Sequence, residues 1–93
     1  MNRVGPVLSA NEIGRAVSAA LVQHNSDVEV QDRGAYLRVL APRRCALTRE
    51  AVERTLGRPF RLPIDLELVM ASFSGAFSVT EEQAVWTFEV PDD

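Results

Sequence analysis

Apolar residues at Ile13, Val17, Ala20 and Leu21, continued by His24, recur at helical spacing and predict one amphipathic helix with a single buried stripe. Ser9 suits its N-cap, and Glu12, three residues on, completes a capping box; Asn25-Ser26 closes the helix. Ahead of it, Val4 to Leu8 reads as a short extended segment, which Gly5-Pro6 would confine to a sheet edge. After it, Val28 to Gln31 and Tyr36 to Leu40 alternate apolar with polar across the turn Asp32-Arg33-Gly34, so the two predict a hairpin. In that register Leu37 and Val39 face the core with Val28 and Val30, while Tyr36 and Arg38 take the opposite face. Pro42 stops the strand, and Cys45 to Leu47 forms a brief third one.

Thr48 is placed to cap a second helix that buries Ala51, Val52 and Leu56, and Gly57 fits the left-handed position just past it. Pro63 suits the first position of a short third helix. Leu66, Leu68 and Met70 alternate with Glu67, Val69 and Ala71, which suggests a strand running on through Phe73, with a bend or bulge at Gly75. Ala76 to Val79 and Ala84 to Val90 make a last hairpin, with Trp86 at a core position. The order is β-α-β-β-β-α-α-β-β-β: a single α+β domain over residues 4–90, mainly antiparallel sheet with helices packed on one side. Met1 to Arg3 and Pro91 to Asp93 read as loose ends.

The 93-residue length allows one domain, and 46% hydrophobic with 25% charged residues is ordinary for a folded one. No run reaches the roughly 18 apolar residues of a membrane span, and Asn11, Glu12 and Arg15 interrupt any signal peptide, so a cytoplasmic protein is expected. All ten basic residues are arginines at or before Arg61, whereas seven acids and no base follow Leu62. The asymmetry can orient the approach to a charged partner; codon bias with a solvated acidic edge accounts for it equally well.

Catalytic chemistry is scarce. His24 and Cys45 are the only histidine and cysteine, too few for a four-ligand zinc site, an iron–sulfur cluster or a diiron centre. Phosphate-binding glycine motifs are absent. Cys45 reads as a half-buried strand residue and His24 as a helix-end residue. Glu81-Glu82 and Asp92-Asp93 are solvated charge, and the arginines match no nucleic-acid module. No catalytic, cofactor-binding or metal residue is expected, which leaves a protein that acts by touching another macromolecule.

Four segments carry a resemblance. Val28 to Val39 (VEVQDRGAYLRV) resembles the central hairpin of the effector, or coupling, proteins of bacterial multicomponent diiron monooxygenases, which oxidise methane, phenol, toluene and alkenes. Leu56-Gly57-Arg58-Pro59-Phe60 resembles the turn after that family's second helix, and Ala71-Ser72-Phe73-Ser74-Gly75 the segment that follows. Val4-Gly5-Pro6-Val7 resembles the opening of the toluene-type members, so the toluene or alkene branch is favoured. The stretch Arg61 to Asp65 is about a residue longer than in those relatives, and the three-residue leader argues against a mechanism built on a long N-terminal tail.

The resemblance implies a cofactor-free protein, monomeric when free, whose partner is a diiron hydroxylase served by a reductase and sometimes a ferredoxin, with which it can compete. It places Met70, Ala71, Ser72, Phe73 and Gly75 at the hydroxylase interface, with Val4, Gly5 and Pro6 at its edge. Phe73 would be an anchor there; Phe73 as a core residue is the competing assignment. Leu56, Gly57, Pro59 and Phe60 would be scaffold. The alternative function is a stand-alone regulatory domain that binds a metabolite, and it would need a pocket lined by convergent polar groups.

Overall fold

The computed structural model describes residues 3–88. Its elements are β1 (Arg3–Ser9), α1 (Glu12–His24), β2 (Glu29–Asp32), β3 (Tyr36–Pro42), β4 (Arg44–Thr48), α2 (Arg49–Leu56), α3 (Ile64–Glu67), β5 (Met70–Ser74), β6 (Ala76–Val79) and β7 (Gln83–Thr87). This is the expected α+β order. The last strand stops at Thr87, short of Phe88, and Arg3, expected in a loose end, opens β1. The expected continuation through 89 and 90, and the rest of both loose ends, lie outside the described residues.

The strands form two antiparallel sheets rather than one, ordered β2-β3-β1-β5 and β4-β7-β6. Helix α1 lies against β1, β3, β4 and α2. Val4, Leu8, Val17, Leu21, Val39, Leu47, Val52, Phe60, Leu66 and Trp86 fill the core. Phe60 is thus scaffold, as expected, and Leu56 packs against the same core.

The caps follow local chemistry. The Thr48 hydroxyl accepts from the Ala51 N–H at 3.1 Å, and Gly57 closes α2 at φ 81°. At α1 the cap is Asn11, whose Oδ1 accepts from the Gly14 N–H at 2.8 Å, and not Ser9. Ser9 is kept in β1, where it pairs with Tyr36 and donates its N–H to the Val69 carbonyl at 2.7 Å.

Three further expectations change. Strand β1 is interior, between β3 and β5, because its ladder with β3 skips Gly5 and Pro6: the paired residues are Val4↔Ala41 and then Val7↔Arg38. The proline's missing N–H therefore costs no bond in that ladder. Val30 is exposed, since it sits on the edge strand β2 beyond the reach of the helix. Leu66 belongs to α3 and not to a strand: Leu66 and Val69 are buried three residues apart while Leu68 points to solvent, 77% exposed.

A staple precedes α3. Asp65 accepts from the Arg61 backbone N–H at 2.8 Å and from the Arg61 guanidinium at 3.1 Å. Both bonds hold the Asp65 carboxyl below its ordinary value of 3.8, the guanidinium most strongly. A depressed carboxylate stabilises the fold above its unfolded-state value, and that stability is lost as pH falls through the folded-state value. Asp65→Asn should therefore lower the thermal midpoint at neutral pH and have a vanishing effect in strong acid. Melting curves over an acid series would show this, and a deficit independent of pH would refute it.

Candidate functional site: an uncharged sheet edge and its outer face

Sheet edges expose unpaired backbone groups, and proteins usually guard them with charge or cover. Two edges here are guarded. β2 carries Glu29 and Asp32. The edge of β4 is covered by the Asn25 amide, which donates to the Ala46 carbonyl at 2.8 Å and accepts the Ala46 N–H at 2.9 Å. The other two, β5 and β6, are joined through Gly75, and no charged residue lies between Glu67 and Glu81. One continuous, uncharged strand edge therefore passes from the first sheet to the second.

Gly75 makes the passage feasible. It adopts φ 95°, and a Cβ there would meet the Thr87 carbonyl oxygen and Val4 Cγ1, each at 2.6 Å. Just before it, β5 pairs with β1 as Gly5↔Ser74, Pro6↔Phe73, Val7↔Ser72 and Leu8↔Met70. The register shift leaves Ala71 as an extra, unpaired residue, a bulge of the kind that re-aims side chains at functional edges.

Phe73 is 44% exposed, which removes its assignment to the core. Its ring lies 5.3 Å from Phe77, which in turn lies 5.2 Å from the fully buried Trp86. These separations suit aromatic pairing. The half-exposed ring is thus supported from beneath by a stack that reaches the core.

The outer face of the first sheet adjoins this edge. A transverse row crosses all four strands as Gln31, Arg38, Val7 and Ser72, each paired to the next. Val7, Tyr36, Arg38, Ser72, Phe73 and Ser74 line a depression of about 310 Å³. Sequence alternation had put Tyr36 and Arg38 on this face, but nothing in it joined them to Phe73, because β5 is more than thirty residues away in the chain.

Of the residues expected at an interface, Ala71, Ser72, Phe73 and Gly75 are exposed and Met70 is half-buried. Val4, Gly5 and Pro6 are buried. Gly5 and Pro6 pair edge to edge with Ser74 and Phe73 of β5, and Val4 lies in the core.

The remaining chemistry-bearing groups do not converge. Cys45 is fully buried, not half-buried, and burial pushes its thiol up to about 11 against the opposing pull of Arg44. His24 lies exposed at the end of α1, so the two do not form a nucleophile–base pair. Native Cys45 should accordingly resist alkylation by iodoacetamide at pH 8 and react at the rate of unfolding in urea. Rapid modification of the folded protein would contradict that burial. A second depression, about 400 Å³, is lined by Arg49, Arg61, Leu62, Ile64, Glu81 and Glu82. Its arginines are already paired, Arg49 with Glu82 at 3.0 Å and Arg61 with Asp65 at 3.1 Å, so it offers no free polar set of the kind a metabolite pocket needs. Among the described residues no three His, Cys, Asp or Glu are placed to hold a metal ion, and no helix is long and apolar enough to cross a membrane.

These features define a class: a small α+β domain whose distinctive surface is a strand edge and sheet face suited to protein contact. The chain belongs to the MmoB/DmpM family, whose model matches residues 2–87. It is 38% identical over 90 residues to the effector subunit of the alkene monooxygenase system of Xanthobacter autotrophicus, covering 95% of this chain and 88% of that protein. Its fold matches two chains from solved phenol hydroxylase–regulatory protein complexes, both at 24% identity. One gives a TM-score of 0.83 over 94% of this chain and 99% of the other; the second gives 0.78 over 92% and 99%.

Proposed function

We propose that this chain is the effector subunit of a multicomponent monooxygenase: it binds the system's diiron hydroxylase and tunes oxygen activation, coupling and regiospecificity without catalysing a step itself. The observation that carries this reading is the identity to an alkene monooxygenase effector subunit along nearly the whole length of both chains. The uncharged edge from Met70 through Phe73 to Gly75 supports the location of the contact. The protein works in the cytoplasm, is monomeric when free, carries no cofactor, and competes with the ferredoxin or reductase for hydroxylase surface.

Regulation of this kind requires differential binding, because a ligand with equal affinity for two hydroxylase conformations shifts neither. A tenfold bias needs about 1.4 kcal/mol, less than one well-seated aromatic anchor commonly contributes. The test is steady-state substrate oxidation by the reconstituted hydroxylase and its electron donor, titrated with this protein. The expected result is a rise in rate or coupling that saturates near one chain per active site. A folded chain that changes neither rate, coupling nor product distribution with its own hydroxylase would refute the reading.

A further inference from the structure

We infer that Arg38 is the charged specificity contact of the docking face and that it receives a carboxylate of the hydroxylase; this rests on the effector reading above. Arg38 is exposed near the middle of the outer sheet face, flanked in its row by Gln31 and Val7. The depression it lines is otherwise uncharged, made of Val7, Tyr36, Ser72, Phe73 and Ser74.

The place of Arg38 among the chain's unpaired cations sets it apart. Among the described residues Arg3, Arg15, Arg49, Arg54, Arg58 and Arg61 each have a carboxylate within bridging distance, whereas Arg33, Arg38, Arg43 and Arg44 have none. Of these four, Arg38 is the one that lines the depression. The acids on the neighbouring strand are engaged elsewhere. Glu29 is held by Arg3 at 3.5 Å and by the Gln31 amide at 3.2 Å. Asp32 accepts from the Gly34 N–H at 2.9 Å and faces Arg15 at 3.5 Å.

A partner that fills the depression against Val7, Tyr36 and Ser72 must also cover Arg38. An arginine taken out of water without a counter-charge is strongly unfavourable, so the covering surface has to supply one. The guanidinium is a planar fork that matches a carboxylate through two parallel bonds. Tyr and Arg, both present here, are also among the residue types enriched where binding energy concentrates at protein contacts. The complement of this face is therefore an apolar surface that presents one Asp or Glu.

The experiment titrates the reconstituted hydroxylase with wild type, Arg38→Lys, Arg38→Gln and Arg38→Glu at several salt concentrations, after thermal melts confirm folding. The half-saturating concentration should rise about tenfold for Arg38→Gln and further for Arg38→Glu, with Arg38→Lys between wild type and Arg38→Gln. Salt should weaken wild type more than Arg38→Gln, because only the former loses an ion pair to screening. Titrations of Arg38→Gln and Arg38→Glu that match wild type would overturn the assignment, as would a weakened Arg38→Gln with an unchanged salt dependence. A wild-type chain that fails to activate its hydroxylase removes the effector reading and this inference with it; an active wild type whose Arg38 variants titrate identically to it removes the inference alone.

Discussion

Replacing Phe73 with alanine is expected to abolish most hydroxylase activation while leaving the fold largely intact. The ring is 44% exposed at the free edge of β5 and is propped by Phe77, itself against the buried Trp86. Because that support is already in place, little ordering of the anchor remains to be done on binding, and pre-organisation of this kind raises affinity. A central aromatic anchor is worth about 2 kcal/mol or more, which is roughly a 30-fold rise in half-saturating concentration. The stability lost should be smaller, about 1 kcal/mol, since one aromatic contact and part of a half-buried ring are removed. Effector titrations and urea melts of the same preparation separate the two quantities. A variant that activates like wild type would move the anchor elsewhere on the edge. One that unfolds in proportion to its loss of activity would make Phe73 structural.

Gly5→Ala is expected to be the most damaging single methyl group that can be added to β1. Gly5 has φ 149°, and a Cβ there would lie 2.1 Å from the Val39 carbonyl oxygen and 3.0 Å from its carbon. These are backbone atoms of β3 and cannot rotate away. Backbone strain and overpacking each cost of order 1–3 kcal/mol, so a loss of about 3 kcal/mol is expected, a large share of the roughly 5–15 kcal/mol typical of a domain. The denaturant midpoint should fall accordingly. Activation should fail as well, because β5 is held in the sheet only through β1. A midpoint near that of wild type would mean that β1 and β3 can separate locally without cost.

Much of the architecture was legible where it depends on near neighbours in the chain. The second helix was readable at both ends because Thr48 and Gly57 act on backbone groups within one turn. Both hairpins were readable because alternation and turn residues lie side by side. The first helix start was ambiguous for a physical reason: Ser9 and Asn11 both offer a side-chain acceptor, and the choice fell to Asn11 only because Ser9 is held in β1 by Tyr36 and Val69. Likewise, the stretch from Leu66 to Met70 satisfies a period of two. It became a helical turn because the core takes Leu66 and Val69 together and leaves Leu68 in solvent.

The candidate site divides in the same way. Its edge segment was identified from Ala71 to Gly75 through resemblance to the effector family, and the exposure of Phe73 gives that segment a side chain able to reach a partner. Its other half, Tyr36 and Arg38, was known to share a face but had no visible connection to β5.

The sequence by itself determined most of the elements, the caps of the second helix, the absence of charge between Glu67 and Glu81, and the presence of one histidine and one cysteine. Periodicity, capping and composition are local properties, fixed before the chain meets itself. Tertiary structure decided which strands are interior and which are edges. Pro6 marked β1 as an edge strand by local chemistry, yet β5, about seventy residues on, pairs with it at Gly5↔Ser74 and Pro6↔Phe73. That pairing helps bury Gly5 and Pro6, turns β5 into the free edge, and sets Ser72 in one row with Val7 and Arg38. No local pattern encodes it, because the backbone bonds that join two distant strands are the same whatever their side chains, and only packing of the whole core selects among them.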